Sequence, residues 1–353
     1  MCLWLSFGGN MKLNSLLVLL QALFISGQST SCWRDTACTG PSEPSFSGTW
    51  DQYNYSPSSR VVTPKRILTS GNHFSSDYLP GISSLEGNGS LLIFDFGQEV
   101  GGIASVIYSA EGAGNLGLAF SESTNFTGEW SDDSNGSFNP DGAVYGSVST
   151  TTDGNYTVPD AQLRGGFRYL TLFITTTSTL QLNITNIFLE LSFQPSWSNL
   201  QAYGGYFNSN DDLINKIWYA GAYTLQTNNI PPLTGRAWPI LGSGWANDGD
   251  CGTTGTSVYV DGSKRDRTVW AGDLAVAVPS ILVSTGDIKG VYNTLEALYN
   301  VQVSPLSYMT ITYLSQIANL WRTTFCWSSN HHFWLRHLPH VYHDRNIRLC
   351  SLL

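Results

Sequence analysis

The chain has 353 residues and a net charge of −9, and 42% of it is hydrophobic, enough for two domains with sizeable cores. An acidic surface with no basic patch excludes a nucleic-acid binder, because like charge repels a phosphate backbone. Twelve tryptophans and seventeen tyrosines are many for this length and suit either a carbohydrate-binding surface or an aromatic-rich sandwich.

Residues 1–31 read as an upstream extension followed by a secretory signal. Lys12 precedes the apolar run Leu16–Ile25, and small and polar residues follow from Ser26 to Ser31. The run is too short to span a membrane and has the length of a signal core. Met11 is a better start than Met1, since no positively charged side chain lies between them. The expectation is a secreted, extracellular chain with no membrane attachment after cleavage. Six Asn-x-Ser/Thr sequons agree with export: Asn54, Asn88, Asn125, Asn135, Asn155 and Asn183. Cys32 and Cys38 lie close together just after the expected cleavage point, and an oxidising compartment favours a local disulfide there. Cys251 has no evident catalytic partner and reads as structural.

Residues 32–199 read as an antiparallel β-sandwich. Leu91–Phe96 is one strand; Gly97, Gly101 and Gly102 punctuate it, and Ile103–Tyr108 is the next. Leu116, Leu118 and Phe120 alternate with small residues in a third. Ser131–Gly142 is a turn cluster. Phe167–Ile174 and Ile187–Leu191 complete the set. Glu99 and Arg168 are candidates for an ion pair or for sugar binding.

The period changes near Asn208. Ser209-Asn210-Asp211-Asp212 has the form of a capping box. Leu213, Ile217 and Ala220, with Ile214, Trp218, Gly221 and Leu225, recur at helical spacing and predict a helix over 211–227, ended by Pro231-Pro232. An irregular stretch from Leu233 to Val260 carries Trp238, Trp245, Asp248 and Asp250. Long irregular segments in compact domains are commonly functional, so these residues either line a cleft or fill a crevice beneath it. Two further helices are predicted, over 273–284, broken or kinked by Pro279, and over 287–301.

Ahead of these two helices lies the densest run of charge in the chain, Asp261-Gly262-Ser263-Lys264-Arg265-Asp266-Arg267-Thr268-Val269-Trp270-Ala271-Gly272-Asp273. It has no apolar period and reads as a loop leading into a helix. Either it is a solvated charged loop, or it forms a site of carboxylates, arginines and an indole. Sugar chemistry needs the latter set: an acid to protonate a leaving oxygen, a second carboxylate for water or hydroxyls, and an aromatic face for the C–H side of a ring.

The pattern Asp-Gly-x-Lys-Arg-Asp-Arg-x-x-Trp-x-Gly-Asp resembles the catalytic signature of the inverting α-L-rhamnosidases of glycoside hydrolase family 78, in its fungal secreted form. Phe94–Gly102 and Gly166–Leu170 resemble the β-sandwich that precedes the catalytic barrel in that family. The resemblance implies a multidomain β + α fold, with an antiparallel β-sandwich over 32–199 followed by the first part of an (α/α)6 barrel over 200–303. It implies hydrolysis of terminal α-L-rhamnosyl residues with inversion, rhamnose-containing glycosides or polysaccharides as partners, and no cofactor. Asp266 stands at the general-acid position. Asp261, Arg265 and Asp273 would grip the rhamnose hydroxyls, and Trp270 would wall the sugar subsite. The family's general base is a Glu on a later segment, which no position here matches, so the chain is expected to be C-terminally truncated. The alternative reading is a secreted carbohydrate-binding β-sandwich protein without hydrolysis; a third is a product with no stable function.

Residues 304–353 differ in character. Five of the six histidines fall here, His331, His332, His337, His340 and His343, with Cys326 and Cys350 nearby. A metal site or an aberrant reading of the gene would each produce this tail, and no metal ligand is assigned.

Overall fold

The computed structural model describes residues 32–69, 73–81, 83–134, 141–149, 152–237 and 245–300. The signal-like segment, Asn135, Trp238 and the histidine-rich tail therefore lie outside the described residues.

The strands are β1 (Val61–Val62), β2 (Arg66–Thr69), β3 (His73–Asp77), β4 (Ser83–Glu86), β5 (Leu91–Ser121), β6 (Val144–Ser149), β7 (Thr152–Thr157), β8 (Arg164–Thr175) and β9 (Leu180–Leu191). All pair antiparallel in one nine-stranded system. β5 organises it. Its first segment pairs with β8 and β2, its middle with β9 and β7, and its last with β8 again and with β6. The connectivity therefore gives two layers. One runs β3–β2–β5–β8–β5–β6, and the other has β9 beside the middle of β5, with β1, β4 and β7 around them. This is a sandwich, as expected. The glycines read as punctuation do not end the strand; they bend it. Gly97, Gly102 and Gly112 take φ of 81°, 152° and 101°, where a side chain is disfavoured.

Alternation explains which strands face one layer. β6 is buried at every second position, while β8, flanked on both edges by β5, is buried almost throughout. Phe94, Phe96, Phe120 and Phe167 fill the space between layers, with edge-to-face contacts at 4.9 and 5.5 Å. Buried Arg60 ties the end of β9 to the next segment by donating to the carbonyls of Leu191, Phe193, Gln194 and Trp197 at 2.7–3.1 Å. Cys32 and Cys38 form a disulfide.

Three helices follow: α1 (Asp212–Thr227), α2 (Ala271–Val283) and α3 (Ile288–Asn300). A short pair, β10 (Asn229–Ile230) with β11 (Val258–Tyr259), brackets the irregular stretch. Asp211, not Ser209, caps α1: its carboxylate accepts from the N–H groups of Leu213 and Ile214. The buried face of α1 also differs from the expected one. Asn215, Tyr219, Ala222, Tyr223 and Gln226 pack inward, while Leu213, Ile214 and Ile217 are exposed. The reason is polar satisfaction. The Tyr223 hydroxyl donates to the Glu99 carbonyl at 2.7 Å, and Gln226 joins Leu200 O and Ser56 Oγ, so these polar side chains are at home against the sandwich. Pro279 sits inside α2 without ending it. Asp287 caps α3 through the Gly290 N–H and accepts from Gln194, Asn229 and Tyr259, joining the sandwich to the helices.

Candidate active site

The charged stretch is a closed loop. Asp261 N–H donates to Thr268 O, and Asp261 Oδ1 accepts from Thr268 N–H, both at 3.0 Å, so the loop's two ends pair. Its centre is Arg267, 1% exposed, whose guanidinium donates to Ser263 O at 2.7 Å and to Thr234 O and Oγ1 at 2.8–3.1 Å. Burial lowers its pKa to about 10, so it stays charged at neutral pH and acts as an internal strut. Ser263, also buried, donates to Glu99 Oε1 at 2.7 Å. Burial raises the Glu99 carboxyl above its usual range. Of the two readings left open for Glu99 and Arg168, an ion pair between them is not formed: Arg168 makes a two-point pair with Asp95 at 2.8 and 3.0 Å. The bulge between Asp95 and Val100 gives Glu99 its separate direction.

Asp266 and Arg267 both lie in the left-handed region, with φ of 65° and 50°. Two consecutive non-glycine residues there cost about 1–2 kcal/mol each, which the surrounding bonds must offset. The turn sends residues 263 and 267 inward and leaves Arg265 and Asp266 exposed.

Asp261 is the carboxyl with the most consequential environment. Burial raises it to about 6, with the neighbouring carboxylates of Asp266 and Asp273 and a hydrogen bond to Asp266 acting in the same direction. Asp273 lies in the first turn of α2, where the helix dipole favours an anion. Trp270, the residue before α2, is 50% exposed.

The loop opens on a cavity of about 760 Å³ between α1 and α2, walled by Trp218, Leu225, Asn228, Val260, Val276 and Ala277, with Asp261 and Asp273 among its lining residues. The structure thus brings together Asp261, Asp266 and Asp273. Trp270 borders a smaller adjoining cavity with Asp273. Of the residues read as either lining a cleft or filling a crevice, Trp245 and Asp248 do not line this cavity. Trp245 is 4% exposed, packed edge-on to Phe120 and under the Arg164 guanidinium; it fills a crevice because its ring completes the sandwich core. Asp248 is exposed and does not line the cavity. Sequence reasoning missed Trp218 as a cavity wall, having counted it as one more apolar position of a helix. It also missed Arg236, which feels Asp266, Asp133 and Asp141 electrostatically. No group of acidic, His or Cys side chains that could hold a metal occurs among the described residues, and no described helix is long and apolar enough to cross a membrane.

No family model and no curated protein matches the sequence. Similar solved structures include a rhamnosidase from Klebsiella oxytoca with rhamnose bound, with TM-score 0.47, 16% identity, and coverage of 78% of this chain and 54% of that one. A family 78 rhamnosidase of Bacillus sp. GL1 has TM-score 0.41 and 18% identity over 58% of this chain and 17% of that one. An α-L-rhamnosidase from Dictyoglumus thermophilum has TM-score 0.37 and 16% identity over 66% and 23%. The chain spans about half the length of the first and less than a quarter of the others.

Proposed function

We propose that the chain is an α-L-rhamnosidase-like glycoside hydrolase acting on terminal α-L-rhamnosyl groups with inversion, its helices forming the first part of an (α/α)6 barrel after the sandwich. The observation that carries this reading is the closed loop 261–268. With the start of the helix that follows, it sets Asp261 and Asp273 on the lining of a cavity and leaves Arg265, Asp266 and Trp270 exposed. Asp266, at the turn's tip, protonates the departing glycosidic oxygen. Asp261 and Asp273 take sugar hydroxyls, Arg265 adds a charged donor, and Trp270 covers a C–H face of the ring. The water-activating base is assigned to none of these residues; the family resemblance gives it to a Glu on a later segment that no position here matches. We also propose that the chain is secreted, a reading supported by the signal-like segment, the sequons and the Cys32–Cys38 disulfide.

The test is release of L-rhamnose from an aryl α-L-rhamnoside by the full chain. Asp266→Asn should lower kcat by roughly 10²–10⁴-fold, the usual contribution of a positioned acid. Absence of turnover, or an Asp266→Asn variant with normal turnover, rejects the assignment. A second reading, sugar binding without hydrolysis, draws on the half-exposed Trp270. Calorimetric titration with rhamnose that shows binding in a chain without turnover would select it.

A further inference from the structure

We propose that the β-sandwich is a working part of this site, and that Lys264 is a positioning residue that clamps the Asp266 turn onto the sandwich. The proposal deepens the reading above and rests on it for the identity of the reaction. Lys264 is not among the residues expected to touch sugar. Its ammonium reaches the segment that follows β5, where it donates to Glu122 Oε2 at 2.6 Å and Asp132 Oδ2 at 3.3 Å. Its side chain is 16% exposed and that of Asp132 is 13% exposed, so solvent screens the Asp132 contact less than an ordinary surface pair, whereas Glu122, 45% exposed, holds the outer side of the ammonium.

Two neighbours of Lys264 are tied to the same partner. Ser263 donates to Glu99 on β5, and the Asp266 N–H donates to Ser134 O at 3.3 Å. Ser134 is itself fixed, because its N–H donates to Asp141 Oδ2, which also takes Arg164 Nη1 at 2.5 Å. Arg164 reaches the Asp132 carboxylate as well. The cradle is therefore a buried, cross-braced segment of the sandwich and not a free loop tip. Gly165 and Gly166 of β8 provide the floor: a Cβ on Gly166 would stand 2.7 Å from Ser263 Oγ and 3.1 Å from Lys264 Cβ. Positions 263, 264 and 267 thus hold inward, and 265 and 266 are presented outward. The left-handed turn at Asp266 and Arg267 is the geometry by which the chain makes that switch, and it persists only while its surroundings over-determine it. Without the Lys264 anchor the turn has a relaxed alternative, and Asp266 loses its fixed position.

The experiment uses the full chain with Lys264→Met, Lys264→Arg and Glu122→Gln. Amide hydrogen exchange is read across residues 262–268, and kcat and KM are measured on an aryl α-L-rhamnoside. In Lys264→Met, exchange at 265–268 should rise at least about 10-fold while strands β5 and β8 keep native protection. Turnover should fall about 10²-fold in kcat with KM within about 3-fold, the signature of a misplaced acid. Lys264→Arg should restore most of both, and Glu122→Gln should move both the same way by less. Unchanged exchange at 265–268 in Lys264→Met overturns the clamp, as does faster exchange with unaltered kcat. If the wild-type chain turns over no rhamnoside, the functional reading fails, and the exchange data alone still judge the clamp.

Discussion

Gly165→Ala probes the docking of the charged loop most directly. A Cβ at Gly165 would lie 1.7 Å from Ser263 O and 2.0 Å from Arg267 Nη1. Carbon and oxygen need about 3.3 Å, so the loop must retreat by roughly 1.5 Å or the strand must yield. Retreat strains or breaks two bonds at 2.7 Å, Arg267 to Ser263 O and Ser263 to Glu99. Overpacking costs about 1–3 kcal/mol and a bond to a charged group about 1.5–3 kcal/mol, so the expected loss is about 3–5 kcal/mol. At about 2–4 °C per kcal/mol for a chain of this size, Tm should fall by about 10 °C. The matched control is Gly221→Ala in α1, where an added Cβ meets nothing within 4 Å. Helix propensity there predicts a gain of about 0.5–1 kcal/mol. Thermal unfolding followed by circular dichroism reads both. If Gly165→Ala melts with the wild type, or if the two variants shift in the same direction, the close approach of loop and sandwich is wrong.

Asp261 gives a pH prediction. Its folded pKa, raised from 3.8 to about 6, means the native state holds more proton than the unfolded chain between those values. Stability should therefore fall as pH rises from about 4 to about 6 and then level. Partial solvent exposure limits this contribution to about 1–2 kcal/mol. Urea unfolding across that window should show the decline reduced in Asp261→Asn; an identical slope would contradict it. Asp287→Ala removes the α3 cap and strands the donors of Gln194, Asn229 and Tyr259. It should cost about 2–4 kcal/mol in denaturant titration, and Asp287→Asn less. Among the sequons, Asn54 is half-buried and its Nδ2 donates to Gln201 O at 3.2 Å, whereas Asn88, Asn125, Asn155 and Asn183 are exposed. Glycopeptide mass spectrometry of secreted protein should find Asn54 the least occupied of these five; full occupancy at Asn54 would refute its place in the fold.

Much of the local structure was legible in the sequence because it follows from short-range rules. The apolar strand segments within β5, β8 and β9, the helices near 212–227, 271–283 and 288–300, and the loop character of the charged run all follow from local pattern and its absence. The nearness of Cys32 and Cys38 made their pairing a local matter. What tertiary structure decided depends on partners far away in the chain. Helical spacing located α1 but not its buried side. Tyr219, Tyr223 and Gln226 won that face over Leu213, Ile214 and Ile217, because the sandwich offers bonds for their polar atoms. Trp245 entered the core and Trp218 walled a cavity, a choice that side-chain type alone does not make. Within the charged run, residue types suggested sugar chemistry. Only the fold showed that Arg267 is buried as a strut, that Lys264 reaches back to the sandwich, and that Asp261 carries the raised pKa. Burial and long-range pairing set those roles, and neither is a property of neighbouring letters.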